Sequence, residues 1–241
     1  MSFKAKYDFF HLTTDALGQA TGLVITDSNE NKNATTAQAQ NEKGDYVAWE
    51  VFGETMSPDC SYVLSSDINL STIMCGEVVN GTGDYQGKKF TLGSLTINTS
   101  AGQPPTVQAS GEEIPEDTTH TDCKYQLPTT TLKVCHHAQT LWEAFTLGGT
   151  GCYLQSATYT AGGTISRAMK DGETVAFDVS EGQLTVNVSI TQTGDVAPTL
   201  TAGSGWTITA PLSCSNPDSN YPSWTATLSR SLQHYVPPTN N

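Results

Sequence analysis

The sequence predicts a mainly β fold, with two tandem duplicated antiparallel β-sandwich or barrel domains and an extended N-terminal arm. Two observations lead to this prediction. Short runs in which apolar and polar residues alternate recur along the chain, for example FTLGSLTI, QLTVNVSIT and SWTATLS. Such alternation is typical of half-buried strands. In addition, the two halves of the chain repeat similar anchors at an offset of about ninety residues, which indicates a repeated unit.

The N-terminal segment comprises residues 1–45. Its stretch TGLVITDS predicts one strand, whereas residues 27–45 are polar and contain almost no large apolar side chain. A stretch of this composition buries too little surface to offset the entropy of ordering it. We therefore predict a loop or extended arm that a neighbouring subunit holds in place.

The two repeated units are residues 46–138 and 139–241. The stretch WEVFGETMSPDC begins at Trp49, and WEAFTLGGTGC begins at Trp142, 93 positions later. LTINTSAGQPPTVQAS and VSITQTGDVAPTLTAG align at the same offset through a Pro-Thr pair in each. Because the anchors keep their order and nearly the same spacing, we interpret the pattern as a tandem duplication.

The repeated Trp-Glu-x-Phe motif predicts an aromatic core anchor in each unit. Trp49 and Phe52 form the first anchor, and Trp142 and Phe145 form the second. Aromatic side chains of this size dominate the energetics of a core. Because both copies keep the whole motif, a packing role is favoured over a catalytic role for the glutamates within it.

Four of the six cysteines occupy equivalent places in the two units. Cys60 and Cys123 are 63 positions apart, and Cys152 and Cys214 are 62 apart, so each pair is expected to lie close together. Two interpretations stay open. A disulfide closing such a loop would stabilise the fold by about 4 kcal/mol. Alternatively, both thiols are reduced and pack as small apolar groups, which the lack of a signal peptide at the N-terminus favours.

Charge and motif content exclude several classes of function. The net charge is −13 and the basic residues are scattered, which argues against binding of nucleic acid or anionic membranes. No apolar run is long enough to span a membrane. Recognisable catalytic motifs and the C-x₂-C pairs of common zinc sites are missing from the sequence. We therefore predict no enzyme activity, no catalytic residues, no cofactor and no metal.

Two segments carry a resemblance to a known class of proteins. LTINTSAGQPPTVQASGE and VSITQTGDVAPTLTAGSGW resemble segments of bacteriophage virion proteins, tail proteins in particular. The resemblance implies a tail-tube-like or distal-tail-like β fold that stacks as rings and pairs strands across subunits without catalytic residues. It also implies that the partners are further copies of the chain and other virion proteins. The protein would be made in the host cytoplasm and reside in the virion.

Two alternatives remain at the level of sequence. Trp206, Tyr221 and Trp224 are candidates for a sugar-stacking face of a carbohydrate-binding or adhesin module. An exposed row of these rings would favour that function, and burial would favour a structural role. The other alternative is a different virion role, such as head decoration or a tail fibre.

Overall fold

Antiparallel β-strands dominate the computed structural model of the protein. It describes residues 6–14, 20–65, 68–69, 74–114, 125–126, 131–132, 144–163, 165–170, 173–179 and 182–231. Within these ranges the helical structure is a single 3₁₀ turn, Gly83–Tyr85. The strands, in chain order, are β1 (Leu23–Gln40), β2 (Tyr46–Leu64), β3 (Ile68–Asn69), β4 (Met74–Cys75), β5 (Val78–Asn80), β6 (Lys89–Ser100), β7 (Gln103–Ile114), β8 (Tyr125–Gln126), β9 (Thr131–Leu132), β10 (Phe145–Gly148), β11 (Cys152–Gly162), β12 (Ile165–Lys170), β13 (Glu173–Val179), β14 (Gln183–Gln192), β15 (Thr199–Ala202), β16 (Thr207–Ser215) and β17 (Ser223–Ser231).

One large antiparallel sheet organises the fold. Its strands follow the order β1-β2-β7-β6-β11-β14-β17-β16, and β5 pairs with the first part of β6. Four two-stranded pairs accompany it: β10 with β15, β12 with β13, β3 with β9, and β4 with β8. The prediction of a mainly β, antiparallel fold is therefore confirmed.

Period-two patterning explains how the central strands pack. In β6, Leu95 and Ile97 are buried while the residues between them are half-buried, and β14 repeats this arrangement. Because successive side chains on a strand point to opposite faces, one face of the sheet carries the core and the other carries Ser, Thr and Asn. The β10–β15 pair contributes to the same core through Phe145, which is 4% exposed.

An aromatic cluster fixes the segment before β1 against the core. Phe9 is 1% exposed, and its ring lies 5.2 Å from that of Phe90 and 4.9 Å from that of Tyr85, measured between centroids. The Tyr62 hydroxyl donates a 2.5 Å hydrogen bond to Asp8 Oδ1. Edge-on aromatic contacts of this kind stabilise a core beyond the area they bury. The start of the described chain is thus part of the core.

The polar segment 27–45 is ordered within its own chain, which corrects the prediction of a loop. Residues 27–40 belong to β1 and pair with β2 in an antiparallel ladder whose register shifts at Asn33/Thr35 and Ala39/Gln40. The contacts that order this polar segment therefore come from the backbone of β2. Polar side chains do not prevent such pairing, because a β-ladder is formed by main-chain groups. The structure does not confirm a separate N-terminal arm.

The tandem duplication is likewise not confirmed. At the offset of 93, β6 corresponds to β14 and β7 to the region of β15, yet β6 pairs with β7 whereas β14 pairs with β11 and β17. The predicted boundary between residues 45 and 46 falls in the β1–β2 turn. The two predicted units, 46–138 and 139–241, share the large sheet through the β6–β11 ladder.

Candidate functional site

A two-stranded ribbon extends from one margin of the large sheet. β2 pairs with β7 only from Asp59 to Val63. Residues 30–40 and 46–58 therefore pair with each other, and within the described chain no third strand joins them. We call residues 30–58 the hairpin arm. At the rise of a β-strand, its paired part is about 40 Å long.

The turn at the tip of the hairpin arm is built by one asparagine. Asn41 Oδ1 accepts hydrogen bonds from the backbone N–H groups of Lys43, at 2.9 Å, and Asp45, at 3.0 Å. The Asn41 N–H also donates to the Asp45 carbonyl at 2.9 Å. Gly44 has φ of +84°, a left-handed conformation that favours glycine. The tip is therefore well defined by local chemistry.

The hairpin arm exposes apolar side chains near its tip. Tyr46 and Val47 are 64% and 62% exposed, and they are neighbours on one strand. Neighbouring strand residues point to opposite faces, so each face of the ribbon presents an apolar group. The described β1 side chains of the arm are mostly exposed and polar. Because isolated two-stranded ribbons are marginally stable in water, this arrangement suits contact with another molecule.

The two margins of the large sheet differ in their capacity to add a strand. β16 forms one margin, where its register shifts twice and Pro211 lacks an N–H group. Bulges and prolines are the usual means by which proteins block edge pairing. β1 forms the other margin, with 18 residues and no proline. Despite its own register shifts, β1 is the more open edge.

The predicted aromatic anchors fall in different places. Phe145 is buried in β10. Trp49 and Phe52 lie in β2 within the hairpin arm, where their backbones pair with Gln38 and Thr35. Their side chains, like all of Trp142, lie outside the described part. At the level of the backbone, Phe52 and Phe145 therefore lie in different strand pairs, β1–β2 and β10–β15.

The predicted cysteine pairs are not brought together where the structure describes both members. Cys152 on β11 and Cys214 on β16 are partly exposed free thiols. β14 and β17 lie between their strands, which puts them roughly 14 Å apart at the usual strand spacing. A disulfide requires Cα atoms within about 7 Å, so the expected proximity of this pair is wrong. Cys123 lies outside the described residues, and Cys60 is a buried free thiol.

Burial changes the acidity of two thiols. It raises the pKa of Cys60 to about 11, although hydrogen bonding, chiefly with Tyr62, lowers that pKa in part. Burial raises the pKa of Cys75 to about 12. A thiol is nucleophilic only as the thiolate, so these two groups are chemically quiet at neutral pH. The arrangement is structural at both positions.

The sequence analysis missed the N-terminal aromatic segment. Phe9, Phe10 and Leu12 are buried, but they precede a polar stretch and were grouped with it. The sequence feature that marks these residues is the run KYDFFHL, in which aromatic residues cluster without the apolar/polar alternation of a strand. Such a short apolar run indicates burial without revealing its partner.

Within the described ranges, no group of three or more potential metal ligands occurs, and the adjacent His136 and His137 lie outside those ranges. None of the helical structure in those ranges is long and apolar enough to cross a membrane. The chain matches no protein-family model, and a comparison with curated proteins gave no match either.

Proposed function

We propose that the protein is a structural subunit that self-assembles through its β-sheet edges in a bacteriophage virion, as a tail-tube or tail-associated ring component. The observation that carries the proposal is the hairpin arm, a ribbon about 40 Å long that lacks a third strand among the described residues. A ribbon of this kind gains stability when a neighbour supplies the missing strand or face. The virion and tail assignments rest on the resemblance of the two segments quoted above.

Three features of the described chain support association with further copies of itself. The outer edge of β1 offers main-chain donors and acceptors over 18 residues. Tyr46 and Val47 give each face of the hairpin arm an apolar contact point. The arm carries five acidic and two basic residues, so both signs of charge are present for pairing between neighbours. Main-chain pairing supplies affinity, and side chains of the alternate faces supply specificity.

The proposed duplication also suggests how many chains would form a ring. Two related units in each chain would let three chains form a ring with pseudo-sixfold symmetry. The acidic charge of the protein would keep DNA from adhering to such a ring. Both statements extend the assembly proposal and depend on it.

The central experiment removes most of the hairpin arm and leaves the sheet intact. Asn33 and Thr55 lie directly opposite each other, so an Asn-Gly turn can replace residues 34–54, close the shortened hairpin and keep the buried Met56 and Pro58. The intact chain is expected to form rings or tubes, seen by electron microscopy and by mass photometry. The shortened chain is expected to stay monomeric and to keep the thermal unfolding transition of its body.

A milder variant tests the contact points without shortening the chain. Replacing Tyr46 and Val47 by Ser should weaken assembly by about tenfold or more, because two apolar contacts are lost. Tyr221→Ser is the matched control, since Tyr221 is 63% exposed but lies outside the arm. A monomeric intact chain, or assembly unaffected by loss of the arm, would refute the proposal.

The structure gives little support to a sugar-stacking face made of the three predicted aromatics. Trp206 is 8% exposed, and Trp224 is partly buried against the core with its Nε1–H donating to Gln192 Oε1 at 3.0 Å. Tyr221 alone of the three is exposed. A head-decoration or fibre role would use the same strand edges.

A further inference from the structure

The polar face of the large sheet carries an ordered array of hydroxyl and amide groups. One cross-strand row runs Asn98, Thr158, Asn187 and Thr227, over β6, β11, β14 and β17. The next row consists of serines and a threonine, and its members are Ser100, Ser156, Ser189, Thr225 and Ser213. Neighbouring residues in a row are about 5 Å apart, and the rows are about 7 Å apart.

Hydrogen bonds within the first row orient its amides. Thr158 Oγ1 donates to Asn98 Oδ1 at 2.9 Å, and Thr227 Oγ1 donates to Asn187 Oδ1 at 2.8 Å. Each asparagine therefore has its oxygen engaged. Among the described contacts, no hydrogen bond engages the Asn187 Nδ2 group, which leaves two N–H donors for a ligand.

A groove lies over this array. It has a volume of about 250 Å³ and is lined by residues of β11, β14, β16 and β17, Asn187 and Ser189 among them. β16 forms one wall because its register shifts between Ala210 and Ser213, around Pro211. The volume lies just below the ~300–1,000 Å³ of clefts that hold drug-sized molecules. The groove is therefore suited to a short stretch of a polar chain.

The low number of charged residues in the strands around the groove favours an uncharged ligand. β11, β14, β16 and β17 contain one charged residue, Arg230, although charged residues make up 15% of the whole chain. A cation would find no carboxylate in these strands, and an anion would meet a protein of net charge −13. Hydroxyl and amide groups without charge match a neutral, polyhydroxylated ligand.

An exposed aromatic residue lies on the same face of the sheet, one cross-strand row beyond the groove. Tyr153 is 58% exposed and pairs with Thr191, two residues along β14 from the groove residue Ser189. Its neighbour Leu154 packs against the core, so alternation places Tyr153 on the polar face. Exposed tyrosines combine an apolar ring face with a hydroxyl group, which suits the apolar face of a sugar ring.

We propose that the groove over β11, β14 and β17 binds a neutral carbohydrate chain, with Asn187 Nδ2 donating to sugar hydroxyls and the Tyr153 ring stacking on an adjacent sugar. This site differs from the aromatic trio that the sequence suggested, and it is independent of the hairpin arm. It would give the protein a ligand in addition to its own copies.

The test uses the intact chain and defined sugars. Saturation-transfer NMR is carried out with maltotetraose, mannotetraose and the tetramer of N-acetylglucosamine, and with a sulfated heparin tetrasaccharide for comparison. At least one neutral tetrasaccharide is expected to bind, and the sulfated one is not. Tyr153→Ala should weaken binding by about tenfold through loss of stacking, whereas Tyr153→Phe should retain it.

Further variants separate the site from general effects on folding. Asn187→Ala should weaken sugar binding several-fold. Ser189→Ala removes a groove hydroxyl that makes no described hydrogen bond. Asn33→Ala, an exposed amide on the hairpin arm, is the control and should bind normally. The proposal is overturned if no neutral sugar binds, if binding is unchanged in both Tyr153→Ala and Asn187→Ala, or if only the sulfated sugar binds. A change of oligomeric state in Ser189→Ala would also overturn the proposal, because the face would then be an interface between copies.

Discussion

At the scale of single residues, close backbone approach constrains one glycine in particular. A Cβ atom at Gly111 would lie 1.8 Å from the Thr91 carbonyl oxygen and 2.6 Å from Phe10 Cε1. Separations this short do not occur between real atoms, so the strand or the N-terminal segment would have to move. β7 can lie under Phe10 because this position has no side chain.

We therefore expect Gly111→Ala to lower the free energy of unfolding by about 1–3 kcal/mol, as overpacking does. Urea denaturation followed by circular dichroism measures it. Gly148→Ala is the matched control, because its Cβ would meet nothing nearer than 3.8 Å. Equal stability in the two variants would show that neither the Thr91 carbonyl nor Phe10 lies this close to Gly111.

The cysteines allow a second prediction at this scale. Cys60 and Cys75 are buried, whereas Cys152 and Cys214 are partly exposed. Iodoacetamide added to the native protein near neutral pH should modify Cys152 and Cys214 first, and Cys60 and Cys75 only after unfolding. Peptide mass spectrometry identifies the modified residues. Early modification of Cys75 would contradict its burial.

The raised thiol pKa values also predict a pH dependence of stability. Folding raises the pKa of Cys60 from 9.0 to about 11 and that of Cys75 from 9.0 to about 12. The unfolded chain therefore loses these protons first. Their contribution to stability is complete below pH 9 and is lost as the pH rises towards 11–12, at up to about 1.4 kcal/mol per pH unit and thiol. Cys75→Ala should show a shallower decline in urea titrations, and an equal decline would contradict this account.

At the scale of elements, the sequence predicted some strands well and one poorly. β6, β14 and β17 were predicted from alternation, which is a local property of the chain and survives in the fold. The polar half of β1 was not predicted to be a strand, because pairing with β2 orders it and side-chain burial does not. The Asn, Gly and Asp residues of NEKGD were turn signals, and with them a hairpin could have been predicted.

The turn of the hairpin arm gives the prediction at this scale. Asn41→Ala removes the acceptor of two backbone N–H groups, at a cost of about 1 kcal/mol for local structure. Amide hydrogen exchange should accelerate in the arm while the central strands β6 and β14 keep their protection. Glu42→Ala in the same turn is the control. Uniform acceleration throughout the sheet would mean that the arm and body unfold as one unit.

At the scale of the whole molecule, the strand order could not be predicted from sequence. The β6–β11 ladder joins segments more than fifty residues apart, and nothing in either segment specifies the other. From the sequence, the candidate site could be predicted only as pairing through strand edges. The hairpin arm itself could not be predicted, because its extent depends on where the β2–β7 ladder ends. The groove face depends on four strands meeting in register, which local alternation does not fix.

The N-terminal aromatic segment makes a prediction for global stability. Phe9→Ala should destabilise the protein by about 3–5 kcal/mol, since Phe9 is 1% exposed and contacts the rings of Tyr85 and Phe90. Thermal unfolding of the full chain measures the effect. Lys6→Ala, at an exposed residue of the same segment, is the control and should have little effect by comparison. An unchanged transition in Phe9→Ala would exclude a core role for the segment.

That segment also has a consequence during synthesis on the ribosome. Phe90 is made 81 positions after Phe9, which at about 5–20 residues per second takes roughly 4–16 s. Throughout that interval KYDFFHL is an apolar stretch without its partners. The nascent chain therefore exposes aromatic side chains to aggregation for several seconds. Slowing translation before codon 90 would lengthen this exposure and lower the yield of folded protein.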